Sequence, residues 1–136
     1  MELRARKVRL LVDTHALLWW GLDEPKLSRR ARALLEDPDS ELHVSAASAW
    51  EIATKYRLGR LPDAVGRLAV DMPGWFARIG VNELPISVAH AQRAGALEGM
   101  HGDPFDRMIA AQSLVEEIPV LGRDKALLEF GVELIW

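Results

Sequence analysis

The first sustained apolar run lies in VRLLVDT, Val8 to Thr14, and ends in an acid, Asp13. Its hydrophobic residues do not alternate with polar ones, the signature of a short strand buried on both faces. Thr14 to Leu22 and Leu27 to Glu36 then show helical spacing, split by DEPK, with Ser28 placed to cap the second segment. ELHVS, Glu41 to Ser45, alternates as a second strand, and Ser45 is placed to cap a helix that ends near Leu58 and Gly59. Leu61 to Arg78 keeps a helical period, interrupted at Met72, Pro73 and Gly74. Val81 to Ile86 is a third strand, and Ser87 opens a helix to about Leu97. HGDPFDRMIAAQ starts another helix, which Pro119 ends. Ile118 to Asp124 is a strand, Lys125 to Phe130 a short helical turn, and Val132 to Trp136 a closing strand.

Short apolar strands alternating with longer helical patterns predict an α/β fold, a three-layer α/β/α sandwich with a mainly parallel central sheet. At 136 residues the whole chain reads as one domain. In such sheets ligands gather beyond the carboxyl ends of the strands, near a switch in strand order. That rim is where the chemistry is expected.

Composition narrows the field. The chain has no cysteine, which excludes disulfides, thiol catalysis and thiolate metal ligation. No apolar run approaches a membrane span, and MELRARKVRLLV reads as a basic lead-in to a strand rather than a signal peptide, so the cytoplasm is expected. A net charge of -3 counts against a general nucleic-acid binder. It does not count against a nuclease that holds cations among carboxylates. The arginine groups (Arg29, Arg30 and Arg32; Arg57 and Arg60; Arg107 and Arg123) read as solvated face.

Four acids fall at the sheet rim by secondary structure alone. Asp13 and Asp124 end strands, while Glu51 and Asp106 begin helices. Each also admits a capping role. Asp103 suits the N-cap with Pro104 at the first helical position and Asp106 in the first turn, Asp13 suits the cap of a helix starting at His15, Ser48 and Glu51 have capping-box spacing, and Asp124 precedes Lys125 to Phe130. At an effective dielectric near 20, two carboxylates about 4 Å apart repel by roughly 4 kcal/mol. A cluster must spread, take up protons or bind cations. Hard divalent ions such as Mg²⁺ or Mn²⁺ suit oxygen ligands, and the scattered histidines do not have zinc spacing. A carboxylate-held pair of such ions suits phosphodiester hydrolysis: one lowers the pKa of an attacking water, the other stabilises the leaving oxygen. The chain offers neither a G-x-S-x-G elbow nor a Gly-rich phosphate loop.

Five blocks then resemble, in order, the PIN domain family and specifically its VapC-like ribonuclease toxins: LLVDTHALLWW, HVSAASAWEIATKYRLGRL, LPISVAHAQRAGAL, HGDPFDRMIAAQSLVE and PVLGRDKALLEFGVELIW. The resemblance implies a metal-dependent endoribonuclease, the toxin of a type II toxin–antitoxin system, with RNA as substrate, a cognate antitoxin as partner and a homodimeric state. Carried over by motif, the catalytic and metal-holding residues are Asp13, Glu51, Asp106 and Asp124. Asp103 is an additional acid, read as the helix cap and a support for the ligands. The resemblance also offers Thr14 as a hydroxyl near the first acid, and Arg107 as a residue that orients a carboxylate or meets substrate phosphate. One departure stands out: Gly122 occupies a position where the family often has Thr or Ser. His15 and His101 lie near the rim and read as hydrogen-bonded structural histidines. The five tryptophans read first as packing residues, with adjacent Trp19 and Trp20 about 100° apart on one helix. Two other classes stay open: a catalytically silent PIN-like binding or scaffold protein, and a phosphoacceptor domain, which would need a late strand-end lysine where this chain has Arg123 and Asp124.

Overall fold

The structure, a computed structural model, describes residues 8–136; the basic stretch MELRARK lies outside the described residues. Its elements run β1 (Val8–Val12), α1 (Thr14–Gly21), α2 (Arg29–Glu36), β2 (Ser40–Ser45), α3 (Ala46–Arg57), α4 (Val65–Ala69), α5 (Met72–Ile79), β3 (Asn82–Leu84), α6 (Val88–Ala96), α7 (Pro104–Glu116), β4 (Val120–Leu121), a 3-10 turn (Lys125–Phe130) and β5 (Leu134–Ile135). The strands form one sheet in the order β3-β2-β1-β4-β5, and every pairing is parallel. β1 is central, which explains its apolar run. Leu10, Leu11 and Val12 are all at 0% exposure, so neither face of the strand's carboxyl end meets water, whereas Val8 and Arg9 at its start are exposed.

Alternation along β1 divides the interior into two cores. Leu10 and Val12 join Leu17 of α1, Ala31 and Leu35 of α2, Ile52 of α3 and Trp75 and Phe76 of α5 on one face. Leu11 joins Ile109 and Ala110 of α7, with Leu127 and Phe130, on the other. Burying each such aliphatic side chain contributes roughly 1.5–3 kcal/mol. The result is the expected α/β/α sandwich with a parallel sheet. Strand order reverses between β1 and β4, whose neighbours lie on opposite sides, so the crevice beyond those two strands is the switch point.

Several boundaries differ from expectation for local reasons. The helical stretch from Leu61 breaks at Val70 and Asp71, not at Met72 to Gly74, and Leu61 to Ala64 is not helical. Asp71 Oδ1 accepts from the Gly74 amide at 3.1 Å, so Pro73 lies in the first turn of α5, where its missing amide costs nothing. α2 begins at Arg29 because the Ser28 hydroxyl accepts from the Ala31 amide at 3.0 Å. Ser45 caps α3, its hydroxyl accepting from the Ala47 amide at 3.0 Å. That start places Ser48 inside the helix, and the Ser48–Glu51 capping box does not form. β4 and β5 contain two residues each, much shorter than the apolar stretches that contain them. Pro119, immediately before β4, has no amide to extend the ladder.

Candidate metal centre

The rim is built first from the ends of β1 and β4. The Asp13 amide donates to the Leu121 carbonyl at 2.9 Å, which holds the two strand ends together. Asp13 occupies the N-cap of α1, which starts at Thr14 rather than His15, and its carboxylate makes no capping bond. The side chain is nonetheless buried, at 3% exposure, with Oδ2 3.8 Å from His15 Nδ1. A carboxylate withdrawn from water without a capping partner is costly, and a cation removes that cost. Gly122 helps create the arrangement. A Cβ at this position would lie 2.8 Å from Asp13 Cβ, so a Ser or Thr side chain fits here only if Asp13 moves.

α3 supplies the second acid. The Thr14 hydroxyl donates to Ser48 Oγ at 2.8 Å, a buried contact that ties the start of α1 to α3 and fixes the height of Glu51 at the rim. The Thr14 hydroxyl is thus directed at α3. Glu51 is 2% exposed; its Oε2 accepts from Lys55 Nζ at 2.6 Å, one turn later, while Oε1 is buried with no hydrogen-bond partner. For Lys55, burial opposes the charge but the hydrogen bond and charge of Glu51 outweigh it, and Asp103 and Asp106 add to the effect, so its pKa is raised.

α7 and the turn after β4 supply the remainder. Asp103 Oδ1 accepts from the Phe105 and Asp106 amides at 2.9 and 3.1 Å, the cap expected from its position before Pro104. Asp106 is left free to face the rim, where its Oδ2 lies 2.7 Å from His101 Nε2. Asp124 Oδ1 accepts from the Ala126 amide at 3.0 Å and caps the 3-10 turn. Asp124 therefore has a structural role that its other oxygen does not share. His101, Asp106 and Asp124 each present a ligand atom within 4.8 Å of the other two. Asp13 and Asp124 face a common cavity of about 340 Å³, also lined by His15, Trp19, Arg123 and Lys125.

The electrostatics register the crowding. Burial raises the Asp106 pKa; the His101 hydrogen bond opposes this, and the charges of Asp103, Asp13 and Glu51 push it further up. The His101 pKa is raised chiefly by its hydrogen bond to Asp106, and the His15 pKa chiefly by the Asp13 carboxylate beside it. The charges of Asp13 and Glu51 thus reach Asp106, and that of Asp124 reaches His101. The grouped donors, two carboxylates and one imidazole, suit a divalent ion; Asp13 and Glu51 are not part of that close group, though Oε1 of the buried Glu51 has no hydrogen-bond partner.

Arg107 is committed elsewhere. Its guanidinium donates to the carbonyls of Ala94 and His101 at 3.2 and 3.0 Å and to that of Leu97, and it stacks 5.4 Å from the Phe130 ring centroid. It fastens the loop between α6 and α7 rather than pairing with Asp106. His101, read from the sequence as a structural histidine, is brought into the ligand group. Lys55 carried no assigned role in the sequence; the i, i+4 spacing of Glu51 and Lys55 was the available signal.

This geometry agrees with what the chain is similar to. The model of the PIN domain family matches residues 10–133. The chain belongs to the PIN domain family. It is 30% identical over 121 residues to Ribonuclease VapC22 of Mycobacterium tuberculosis (strain ATCC 25618 / H37Rv), a match covering 87% of this chain and 88% of the relative. It is 43% identical over 63 residues to Ribonuclease VapC16 of the same organism, covering 46% of this chain and 43% of the relative. Two solved structures share the fold. VapBC2 from Rickettsia felis, bound to a DNA fragment from their promoter, gives a TM-score of 0.68 at 12% identity, covering 94% of this chain and 98% of that one. FitAB bound to an IR36 DNA fragment gives 0.66 at 20% identity, covering 93% of each chain. Among the described residues no helix is long and apolar enough to cross a membrane.

Proposed function

We propose that this PIN domain is a divalent-metal-dependent endoribonuclease, the toxin of a toxin–antitoxin pair that works in the cytoplasm. The observation that carries this reading is the grouping of His101, Asp106 and Asp124, with the charges of the uncapped Asp13 and the half-satisfied Glu51 bearing on Asp106. The relatives named as ribonucleases support the choice of reaction. Asp13, Glu51, Asp106 and Asp124 would hold Mg²⁺ or Mn²⁺. When bound, such an ion lowers the pKa of a water and neutralises charge on the phosphate and leaving oxygen.

The chain's own residues do the positioning. Asp103 caps α7 and so fixes the direction of Asp106. Lys55 holds one oxygen of Glu51 and leaves the other buried without a hydrogen-bond partner. Asp124 is oriented by the Ala126 amide, and His101 by its hydrogen bond to Asp106, while its own amide donates to Glu129 Oε1 at 2.9 Å. Arg107 secures the loop that carries His101. A cognate antitoxin as inhibitor and a homodimeric state complete the proposal.

The test is cleavage of a mixed panel of structured and single-stranded RNAs with Mn²⁺, with Mg²⁺ and with chelator, beside identically prepared Asp106→Asn. Metal-dependent cutting that the variant loses is the expected result. Divalent-ion binding without any cutting, or equal cutting by the variant, would favour a silent binding protein or a contaminating nuclease.

A further inference from the structure

The cavity that Asp13 and Asp124 line is also lined by aromatic and cationic groups: Arg123 lies with its guanidinium carbon 4.6 Å from the Trp19 ring centroid, and His15 and Lys125 face the same space. Trp19 is held in place by its neighbours. Trp136 meets it edge-on at 5.7 Å and 69°, and the His15 ring lies 5.7 Å away at 34°. Lys26 Nζ sits 5.9 Å from the same ring. An exposed guanidinium layered on an indole offers a flat, delocalised surface that is already ordered before a ligand arrives. In the lining Arg123 and Lys125 offset the charges of Asp13 and Asp124, and Lys26 adds a further cation at the Trp19 ring.

We propose that this cavity is a nucleotide subsite in which a base of single-stranded RNA, next to the phosphate at the acid rim, stacks on the Arg123–Trp19 plate while its own phosphate meets Lys125. The proposal rests on the ribonuclease reading and adds to it the part of the site that grips substrate. Three features select an unpaired nucleotide. The plate needs an open base face, which a duplex keeps stacked. A cavity of about 340 Å³ lies at the lower end of the range of small-ligand sites, which suits a single residue of a chain. Cations beside the plate supply the phosphate attraction that the acids alone would oppose. Stacking is tolerant of base identity, so the subsite sets single-strand preference rather than sequence.

The experiment measures binding of a short, fluorescently labelled single-stranded RNA by anisotropy, with chelator present so that nothing is cut. Wild type is compared with Arg123→Ala, Arg123→Lys and Trp19→Phe, each first checked for an unchanged melting profile and Mn²⁺ affinity. Arg123→Ala should weaken binding about 5-fold or more, in the range expected for one stacked base. Arg123→Lys should keep the salt dependence of binding but bind normal and abasic RNA alike, because an ammonium carries the charge without the plane. Trp19→Phe keeps a smaller ring and should fall between. Variants that bind as wild type does, or an Arg123→Lys that still prefers RNA with its bases, would overturn the subsite. Mn²⁺-dependent cleavage by the wild type, run alongside, separates the two claims. If cutting is present and the Arg123 variants bind normally, the subsite alone fails. If cutting is absent while the base preference is present, the nuclease reading fails.

Discussion

Lys55→Met removes the partner of a buried carboxylate and therefore tests how the rim balances its charge without an ion. Glu51 is 2% exposed, and the ammonium lies 2.6 Å from Oε2. At an effective dielectric near 20, unit charges at that separation attract by about 6 kcal/mol before either group is taken from water. The Lys55 side chain retains 30% exposure, so screening and desolvation reduce the net effect. Breaking a fully buried pair costs about 3–5 kcal/mol, and a partner open to water on one side brings the expected loss to about 1–3 kcal/mol. For a chain of this size that corresponds to a drop of roughly 4–12 °C in melting temperature. The opposite effect is expected on the metal. Removing a positive charge from beside Glu51, Asp103 and Asp106 strengthens the attraction for a divalent ion, so Mn²⁺ should raise the melting temperature of Lys55→Met by more than that of the wild type. The assay is thermal unfolding in chelator and over a Mn²⁺ series. A metal-free variant as stable as the wild type, or one that gains no more from the ion, would refute the reasoning.

Arg107→Lys should destabilise the fold by about 2–4 kcal/mol in urea unfolding, because one ammonium cannot serve the carbonyls of Ala94, Leu97 and His101 together; a change under about 0.5 kcal/mol would show that the loop is secured otherwise. Gly122→Ser should weaken Mn²⁺ binding measurably, since the new Cβ would lie 2.8 Å from Asp13 Cβ and displace the carboxylate; unchanged affinity would mean the strand end yields instead. His43 bears on pH. Burial lowers its pKa below the ordinary 6.5, with Glu41 partly opposing, so the folded state favours the neutral ring. That contribution is complete above about 6.5 and is lost as pH falls through the depressed folded value. Stability should therefore fall more steeply between pH 7 and 5 in the wild type than in His43→Gln, and parallel profiles would contradict the assignment.

Much of this arrangement was legible in the amino-acid sequence because its signals are local. The apolar run that ends at Asp13 contains β1, covered on both faces from Leu10 to Val12, and Ser28, Ser87 and Asp103 each cap the helix that their position announced. Parallel strands in turn send every strand-end acid to the same rim. What stayed hidden depends on contacts distant in sequence. Ser45 caps α3 as its position suggests, but that Ser48 meets the Thr14 hydroxyl instead of forming a capping box with Glu51 depends on a contact 34 residues away. Pro73 resembles a break but starts a helix, because Asp71 caps it. His101 lies in a connecting segment with no periodicity to orient it; Arg107 and Glu129 place it. Arg107 itself looked available for substrate because nothing nearby in sequence reveals three carbonyls converging on one guanidinium. The missing hydroxyl at Gly122 looked like a loss, whereas in space it is the room Asp13 occupies.

The central claim is that the acids at this rim together hold a divalent ion, and titration calorimetry with Mn²⁺ tests it most directly. Wild-type protein is compared with Glu51→Gln and Asp106→Asn, both first shown to be folded. Saturable binding by the wild type that is lost or greatly weakened in each variant is the predicted result. Equal binding by all three, or none by the wild type at millimolar ion, would contradict the account.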